Sequence, residues 1–251
     1  MPEGGFHRVE HVMGMPVGVD VRDADADPGV LDELFAWLRF VDATFSTYRD
    51  DSEISRLNAG TLGREAAHPL VREVLDRCAE LREQTDGAFD AWSVTPGAVD
   101  PTGLVKGWAV ERAATLLQRG GARRFAINAG GDVRLGGAPP GRPSWRVGIR
   151  HPLQRDRLAA VAAVTDAAVA TSGAYERGAH IVDPRSGRRP QGVLSVTIVG
   201  SDLGRADAYA TAAFALGVEG AAWTAGLDGY EALTILADET IRRTPGFPQL
   251  A

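Results

Sequence analysis

Apolar residues near the N-terminus recur at every second position, a period that predicts a strand, a turn and a second strand over Arg8–Val21. The spacing of apolar residues then changes to three and four, which predicts an amphipathic helix. Asp27 is its expected N-cap and Pro28 its first residue, since both residue types favour these positions. The apolar stripe of this helix consists of Leu31, Leu34, Phe35, Leu38, Val41 and Phe45.

Later segments carry the same helical spacing and are bounded by residues that stop helices. Glycine commonly ends a helix because it adopts the left-handed backbone conformation without strain. The expected helices begin at Ser52, cover Leu70–Leu81 with a stop near Gly87, run from about Gly103 to Gln118, and lie within Gly204–Gly217.

The remaining apolar segments predict strands, which follow one another in hairpin-like runs that helices separate. This order favours an α+β fold with mixed, largely antiparallel sheets over a doubly wound sheet, which requires strict alternation of strands and helices. The chain contains no internal repeat and no linker rich in Gly, Pro or Ser, so residues 1–251 are expected to form a single domain. The expected strands are Arg124–Asn128, Asp132–Leu135, Trp145–Ile149, Leu158–Val164, Ala167–Ala170, Val193–Val199 and Ala232–Leu236, with a final strand and tail in Thr240–Pro248.

The composition is that of a globular protein, and it limits the classes of partner. Hydrophobic residues make up 44% of the 251 residues and charged residues 24%. A net charge of −6 argues against a basic surface for nucleic acid or anionic lipid. A negative chain that binds a polyphosphate therefore needs local help, from a metal ion or from backbone N–H groups.

Cysteine content and the N-terminal sequence favour a cytoplasmic protein without disulfides. Cys78 is the only cysteine, which excludes a disulfide within the chain, and its helical spacing marks it as a core residue. The N-terminal residues lack the basic and apolar regions of a secretion signal. No apolar run reaches the length of about 18 residues that a membrane-spanning helix requires.

The segment Asp207-Ala-Tyr-Ala-Thr211 carries the sharpest candidate for chemistry. Positions four apart in a helix lie on one face, so the Asp207 carboxylate and the Thr211 hydroxyl are expected to point the same way. Two oxygen ligands suit a hard cation such as Mg²⁺, which keeps open positions for water and phosphate. The alternative is structural, with an aspartate that the helix dipole favours in a first turn and a threonine packed in the core.

Three other segments combine polar residues with turns. The glycine turn Asn128–Asp132 either allows a close backbone approach to a ligand or simply closes a hairpin. Lys106 follows a glycine-bearing loop and is either a ligand contact or a surface charge. His180 and Asp183 can act as a base and its orienting group, although a structural histidine beside a turn aspartate fits the pattern equally. The chain has neither the Rossmann nor the Walker glycine motif.

Eight motifs, taken in their order along the chain, resemble those of the ApbE-like FAD:protein FMN transferases. The resemblance extends from about Met13 to past Gly217, which is nearly the whole chain. The motifs are Phe45-Ser-Thr-Tyr48, Ser52-Glu-Ile-Ser55 with Leu57-Asn58, Thr85-Asp-Gly-Ala-Phe-Asp90, Lys106-Gly107, Asn128-Ala-Gly-Gly-Asp132, Thr171-Ser-Gly173, His180-Ile-Val-Asp-Pro184 and Asp207-Ala-Tyr-Ala-Thr211.

The resemblance implies a T-fold-like single domain that uses FAD as a substrate. In that family a Mg²⁺-bound FAD is split at its pyrophosphate, FMN passes to a Thr or Ser hydroxyl of an acceptor protein, and AMP leaves. The implied metal ligands are Asp207, Thr211 and a backbone carbonyl at Gly103. His180 is implied to lie nearest the chemistry and is the candidate catalytic base, which Asp183 either orients or accompanies only as a turn residue. The FAD-binding residues implied in the same way are Met13, Met15, Tyr48, Asp90, Lys106, Asn128, Gly130, Gly131, Asp132, Thr171, Ser172, Gly173 and His180.

The sequence departs from the family pattern at three points. The segment between Ser172 and His180 is short, so the wall of the FAD cleft is expected to be more open than in many relatives. Asp100-Pro-Thr-Gly103 stands where Asp-Leu-Gly-Gly is more usual, which leaves the identity of the carbonyl ligand open. Because no lipoprotein leader precedes the motifs, the acceptor is expected to be a cytoplasmic protein or the cytoplasmic face of one.

Two other functions are compatible with the same motifs. An FAD pyrophosphatase would use water in place of the acceptor hydroxyl and release FMN and AMP. A non-catalytic flavin carrier or sensor would bind FAD without producing AMP, and it would have no evident need of a metal pair.

Overall fold

An open antiparallel sheet of eight strands organises the structure, a computed structural model that describes residues 5–93, 97–154, 156–173 and 181–250. Its strands are β1 (Phe6–Val12), β2 (Met15–Val21), β3 (Phe125–Ala129), β4 (Asp132–Gly136), β7 (Ala168–Gly173), β8 (Val193–Gly200), β9 (Glu231–Leu236) and β10 (Ile241–Arg243), which lie in this order across the sheet. The hairpin of β5 (Trp145–Arg150) and β6 (Leu158–Val164) forms a second sheet. Every neighbouring pair of strands is antiparallel.

Six α-helices lie in the described part of the chain, and two of them cover one face of the sheet. The helices are α1 (Val30–Phe45), α2 (Glu53–Asn58), α3 (Pro69–Gln84), α4 (Thr102–Arg119), α5 (Leu203–Ala215) and α6 (Gly220–Trp223). Helix α5 packs on β7 and β8, and α4 packs between α5 and α1. The mixed α+β class that the sequence predicts is therefore confirmed.

The sheet separates two apolar clusters, which explains why its central strands are buried on both faces. Alternate residues of a strand point to opposite faces. Val196 and Ile198 of β8 accordingly join the cluster under α4 and α5, while Val199 joins the cluster under the β5–β6 hairpin. Strand β4 is buried at every position for the same reason.

Several predicted element boundaries are wrong by a few residues. Helix α1 begins at Val30 rather than Pro28, because the Asp27 carboxylate accepts a hydrogen bond from Gly29 N at 2.8 Å and closes a turn before the helix. Helix α4 begins at Thr102, one residue before the expected start. The glycine stop predicted for α5 is confirmed, because Gly217 directly follows the C-cap Leu216 and has φ +63°. The short helix α6 was not predicted, since four residues carry too little periodicity to be recognised.

The helix predicted around Cys78 is α3, and the cysteine is a core residue as expected. Its side chain is fully buried, and burial raises the pKa of the thiol to about 12. A thiol with so high a pKa stays protonated at neutral pH and is a poor nucleophile.

Asp23 is a buried charge that joins the end of β2 to the start of β3. It accepts hydrogen bonds from the backbone N–H groups of Arg123 and Arg124 at 2.7 and 2.6 Å and from Arg124 Nε at 2.7 Å. Burial opposes the charge, but these hydrogen bonds outweigh it and lower the pKa of Asp23. The carboxylate therefore stabilises the strand connection in its ionised form.

Replacing Asp23 by Asn is expected to lower the free energy of unfolding at pH 7 by about 2 kcal/mol, the typical size of a hydrogen bond to a charged group. Because the folded-state pKa is lowered, the contribution is complete above the ordinary pKa of 3.8 and disappears as the pH falls through the lower folded value. Urea titrations of both proteins at pH 7 and at a pH below the lowered folded-state pKa of Asp23 measure this. Asp25→Asn, with a 72% exposed side chain, is the control and should change little. An equal deficit at both pH values contradicts the assignment.

Candidate functional site

Two glycines allow the backbones of α4 and α5 to touch. A Cβ atom on Gly107 would lie 2.4 Å from the Leu203 carbonyl oxygen, and one on Gly204 would lie 3.2 Å from Trp108 N. These distances leave no room for a larger side chain at Gly107. The close approach brings Lys106 of α4 next to Asp207 of α5.

Lys106 lies between two carboxylates from different elements. Its Nζ atom is 2.5 Å from Asp132 Oδ2 and 3.6 Å from Asp207 Oδ1. The other carboxylate oxygen of Asp132 accepts a hydrogen bond from Thr171 N at 3.0 Å. The side chains are 17% exposed for Lys106, 1% for Asp132 and 6% for Asp207, so this cluster is largely shielded from water. It ties α4, α5, the start of β4 and the end of β7 together.

Hydroxyl groups line the same junction. Thr211 Oγ1 lies 3.4 Å from Ser172 Oγ, and Thr171 Oγ1 lies 2.9 Å from Thr197 Oγ1. Since Thr211 follows Asp207 by one helical turn, the carboxylate and the hydroxyl share the face of α5 that meets β7. The donors at this junction are therefore oxygens, the type that Mg²⁺ prefers.

A simple acidic metal cluster is not found in the described ranges. Within residues 5–93, 97–154, 156–173 and 181–250, no group of three or more His, Cys, Asp or Glu side chains is arranged to hold a metal ion. The predicted ligand set contains a single carboxylate, together with a hydroxyl and a backbone carbonyl, and so is not a cluster of this type. The donor chemistry fits a hard cation that takes its remaining ligands from backbone, water or phosphate.

The glycine turn predicted to approach a ligand connects β3 to β4. Asn128 Oδ1 accepts a hydrogen bond from Gly131 N at 3.0 Å, and both glycines have positive φ, +62° at Gly130 and +106° at Gly131. A Cβ atom on Gly130 would lie 3.0 Å from Met15 Sδ. The turn thus closes a hairpin and also brings four predicted FAD-binding residues together, next to Asp132.

Met13 and Tyr48, two of the residues predicted to bind FAD, occupy loops. Met13 (φ +55°) and Gly14 (φ +73°) form the two-residue turn between β1 and β2, a conformation that suits the twist of a hairpin. Tyr48 follows α1 and is 93% exposed. An exposed tyrosine ring offers a face on which a planar ligand can stack.

Asp90 borders a cleft of about 830 Å³ between the end of α3 and a later turn. Its carboxylate pairs with Arg82 Nε at 3.0 Å and accepts a hydrogen bond from Trp92 N at 2.8 Å. Arg82, Trp92 and Arg185 also line this cleft. Asp90 is therefore held in place on the cleft wall by its own neighbours.

Asp183 is bound within its own turn. Its carboxylate accepts hydrogen bonds from Arg185 Nε and from Arg185 N at 3.0 Å, and from Ser186 Oγ at 3.1 Å. The Arg185 guanidinium is the main cause that lowers the pKa of Asp183. This geometry favours the turn interpretation over an orienting role. His180 lies outside the described residues, so its role stays a prediction.

Gly103, the predicted source of a carbonyl ligand, lies in the first turn of α4 and not in the preceding loop. The turn before it is fixed by Asp100, whose Oδ1 accepts a hydrogen bond from Thr102 N at 3.0 Å. A Cβ atom on Gly103 would lie 3.0 Å from the Phe89 ring, next to Asp90 in sequence. Gly103 therefore connects the start of α4 to the Asp90 segment.

A partly buried ion pair that the motifs did not predict fixes the start of α5. The Glu111 carboxylate binds Arg134 Nε at 2.8 Å and accepts a hydrogen bond from Leu203 N at 2.9 Å. The three residues belong to α4, β4 and α5, which are far apart in sequence. A single sequence carries no local signal for such a link, because its members are distant along the chain.

No helix in the described part of the chain combines the length and apolar character needed to cross a membrane.

Comparison with known proteins gives consistent matches over most of the chain. The sequence model of the ApbE family matches residues 13–96 and 92–234. A FAD:protein FMN transferase of Vibrio cholerae is 28% identical over 255 residues, with 76% of each chain covered. A protein of the same name from Rhodobacter capsulatus is 31% identical over 87% of this chain, which spans 40% of that relative.

Solved structures match almost the whole chain. The flavin transferase ApbE from Vibrio cholerae superposes with a TM-score of 0.85 at 25% identity and covers 98% of this chain and 99% of its own. The ApbE protein of Thermotoga maritima gives a TM-score of 0.82 at 22% identity, over 96% and 97% of the two chains. At that lower identity the likeness concerns the fold.

Gly107→Ala is expected to lower the free energy of unfolding by about 1–3 kcal/mol, because overpacking forces α4 and α5 apart. Helix propensity alone favours Ala by about 1 kcal/mol, so the sign of the effect reports the packing. Gly226→Ala is the matched control, since its Cβ atom would meet nothing within 4 Å. Urea unfolding of both variants measures the difference. Two equally stable variants would contradict close contact between the helices.

Proposed function

The chain belongs to the ApbE family, and we propose that it transfers FMN from FAD to a Thr or Ser hydroxyl of an acceptor protein, with Mg²⁺ bound and AMP released. The curated relatives carry the name FAD:protein FMN transferase, in agreement with the enzyme class that the sequence predicts. The observation that carries the proposal for this chain is the shielded cluster in which Lys106 lies between Asp132 and Asp207, next to the hydroxyls of Thr211 and Ser172.

Asp207 and Thr211 are proposed to hold the metal ion, together with a carbonyl near Gly103. Bound there, Mg²⁺ would neutralise the charge that develops on the pyrophosphate oxygens during transfer. The support comes from the side chains themselves: a carboxylate and a hydroxyl lie one turn apart on a helix face that is mostly shielded from water. Such a pair is well suited to a hard cation and poorly suited to a purely apolar interior.

The remaining residues are proposed to hold FAD and orient it. Lys106 brings the positive charge that a chain of net charge −6 needs beside a diphosphate. The glycine turn at Gly130 and Gly131 carries no Cβ atoms, so its backbone can lie close to the ligand. Stacking of the flavin ring on Tyr48 would add about 0.5–1.5 kcal/mol to its binding. Met15 packs behind the glycine turn and supports it.

The proposed step forms one bond and breaks one bond at phosphorus. The acceptor hydroxyl oxygen bonds to the phosphorus of the FMN half, and the bond from that phosphorus to the bridging oxygen breaks. AMP leaves with the bridging oxygen, and the hydroxyl proton passes to a base. His180 is the proposed base on the strength of the family motif alone. The hydrogen bonds of Asp183 to Arg185 weaken the case for Asp183 as its partner.

Incubation with FAD and Mg²⁺, in the presence or absence of a cell extract, tests the function. We expect slow AMP release by the enzyme alone, faster release with extract, and protein bands that carry covalent flavin fluorescence. Fast release of FMN and AMP without extract would instead identify a pyrophosphatase. Tight FAD binding without AMP at any Mg²⁺ concentration would identify a flavin carrier. A cytoplasmic location for enzyme and acceptor stays a prediction from sequence.

Asp207→Ala is expected to reduce Mg²⁺-dependent AMP release by on the order of 100-fold or more, since an ion that stabilises transition-state charge contributes several kcal/mol. Thr211→Val, which removes only the hydroxyl, should weaken the Mg²⁺ dependence to a smaller extent. Asp228→Ala, on the exposed surface, is the control and should retain full activity. The assay measures AMP as a function of Mg²⁺ concentration. Unchanged turnover in Asp207→Ala would remove this carboxylate from the mechanism.

A further inference from the structure

Within the described part of the chain, Lys106 forms ion pairs of different length with Asp132 and Asp207. Its Nζ atom lies 2.5 Å from Asp132 Oδ2 but 3.6 Å from Asp207 Oδ1. Asp132 is itself fixed, because its other oxygen accepts the Thr171 N–H at 3.0 Å and its side chain is only 1% exposed. The ammonium group is therefore drawn towards β4 and held at a longer distance from α5.

We propose that Asp132 is a positioning residue whose charge holds Lys106 away from Asp207, so that Asp207 can bind a divalent cation. The inference rests on the proposed function only in taking Asp207 as a metal ligand. An ammonium group and a metal ion compete for the same carboxylate, since each attracts it and they repel each other. At 1% exposure Asp132 offers little surface to a bound dinucleotide, so its effect passes through Lys106.

Asp132→Asn isolates this role, because the amide keeps an oxygen that can accept the Thr171 N–H but loses the charge that attracts Lys106. We expect Lys106 to move within about 3 Å of Asp207, a normal charge-assisted hydrogen-bond distance. The affinity for Mn²⁺ should then fall about tenfold or more, given the strength of charge interactions in a shielded site. Asp132→Asn/Lys106→Met, which removes the competing ammonium as well, should return to within about threefold of the wild type because the two effects are coupled.

Titration with Mn²⁺ alone measures the affinity of the site for the metal without turnover. The electron paramagnetic resonance signal reports the concentration of the free ion. Asp23→Asn is the matched control, since it neutralises another buried carboxylate far from Lys106 in sequence and should bind Mn²⁺ like the wild type. Asp207→Ala should bind Mn²⁺ weakly. If Asp207→Ala binds as the wild type does, the metal site of the proposed function fails together with the inference. If Asp207→Ala loses Mn²⁺ and Asp132→Asn keeps it, only the inference fails.

Mn²⁺ binding by Asp132→Asn could weaken because Lys106 moves or because a negative charge near the metal is lost. A crystal structure of this variant without metal distinguishes the two causes. A shortened distance from Lys106 Nζ to Asp207 supports the proposal, whereas an unchanged distance with weaker Mn²⁺ binding overturns it. Failure of the double variant to recover Mn²⁺ affinity overturns it too. Lys106→Met alone provides a test that does not depend on folding of Asp132→Asn. It should bind Mn²⁺ at least as tightly as the wild type, and weaker binding contradicts competition.

Discussion

The backbone contact between α4 and α5 at Gly107 and Gly204 is the constraint on which the candidate site depends. At this separation Lys106 of one helix lies 3.6 Å from Asp207 of the other while it remains paired with Asp132. Burying one ammonium and two carboxylates removes water from all three, and this desolvation is costly unless the charges lie close together. The two glycines therefore bring the charged groups close together, and the attraction between these groups offsets the cost of their desolvation.

Among the described side chains of this cluster two carboxylates accompany one ammonium group, an excess of negative charge in a chain that is already acidic. This excess is a disadvantage for folding and an advantage for binding a cation. A divalent ion would add two positive charges to the cluster, and a diphosphate would then meet less negative charge there. The metal and the dinucleotide are thus expected to favour each other's binding. This agrees with the proposed reaction, in which the bond that breaks lies within the charged pyrophosphate of FAD.

Periodicity was sufficient to predict the principal helices and most strands, since each apolar stripe reports which side of an element is buried. The order of motifs was sufficient to predict the family, which the comparisons confirm. The turn interpretation of Asp183, which the sequence offered as an alternative, agrees with its hydrogen bonds to Arg185 two residues away. Local sequence did not reveal the link from Glu111 to Arg134 and the start of α5, whose partners come together only when the sheet forms. The elements were predictable from local patterns, whereas the distances within the site depend on long-range packing.

The pairing of β4 with β7 shows how topology builds the site. The β5–β6 hairpin lies between these strands in sequence but forms its own sheet, so that β4 and β7 become direct neighbours. Val133 opposite Val169 sets the register that brings the Asp132 carboxylate to Thr171 N, 39 residues away. A slip of one residue would turn Asp132 to the other face of the sheet, away from Lys106. The same register buries β4 on both faces, so the apolar packing that stabilises the fold also fixes the charges on which the proposed chemistry relies.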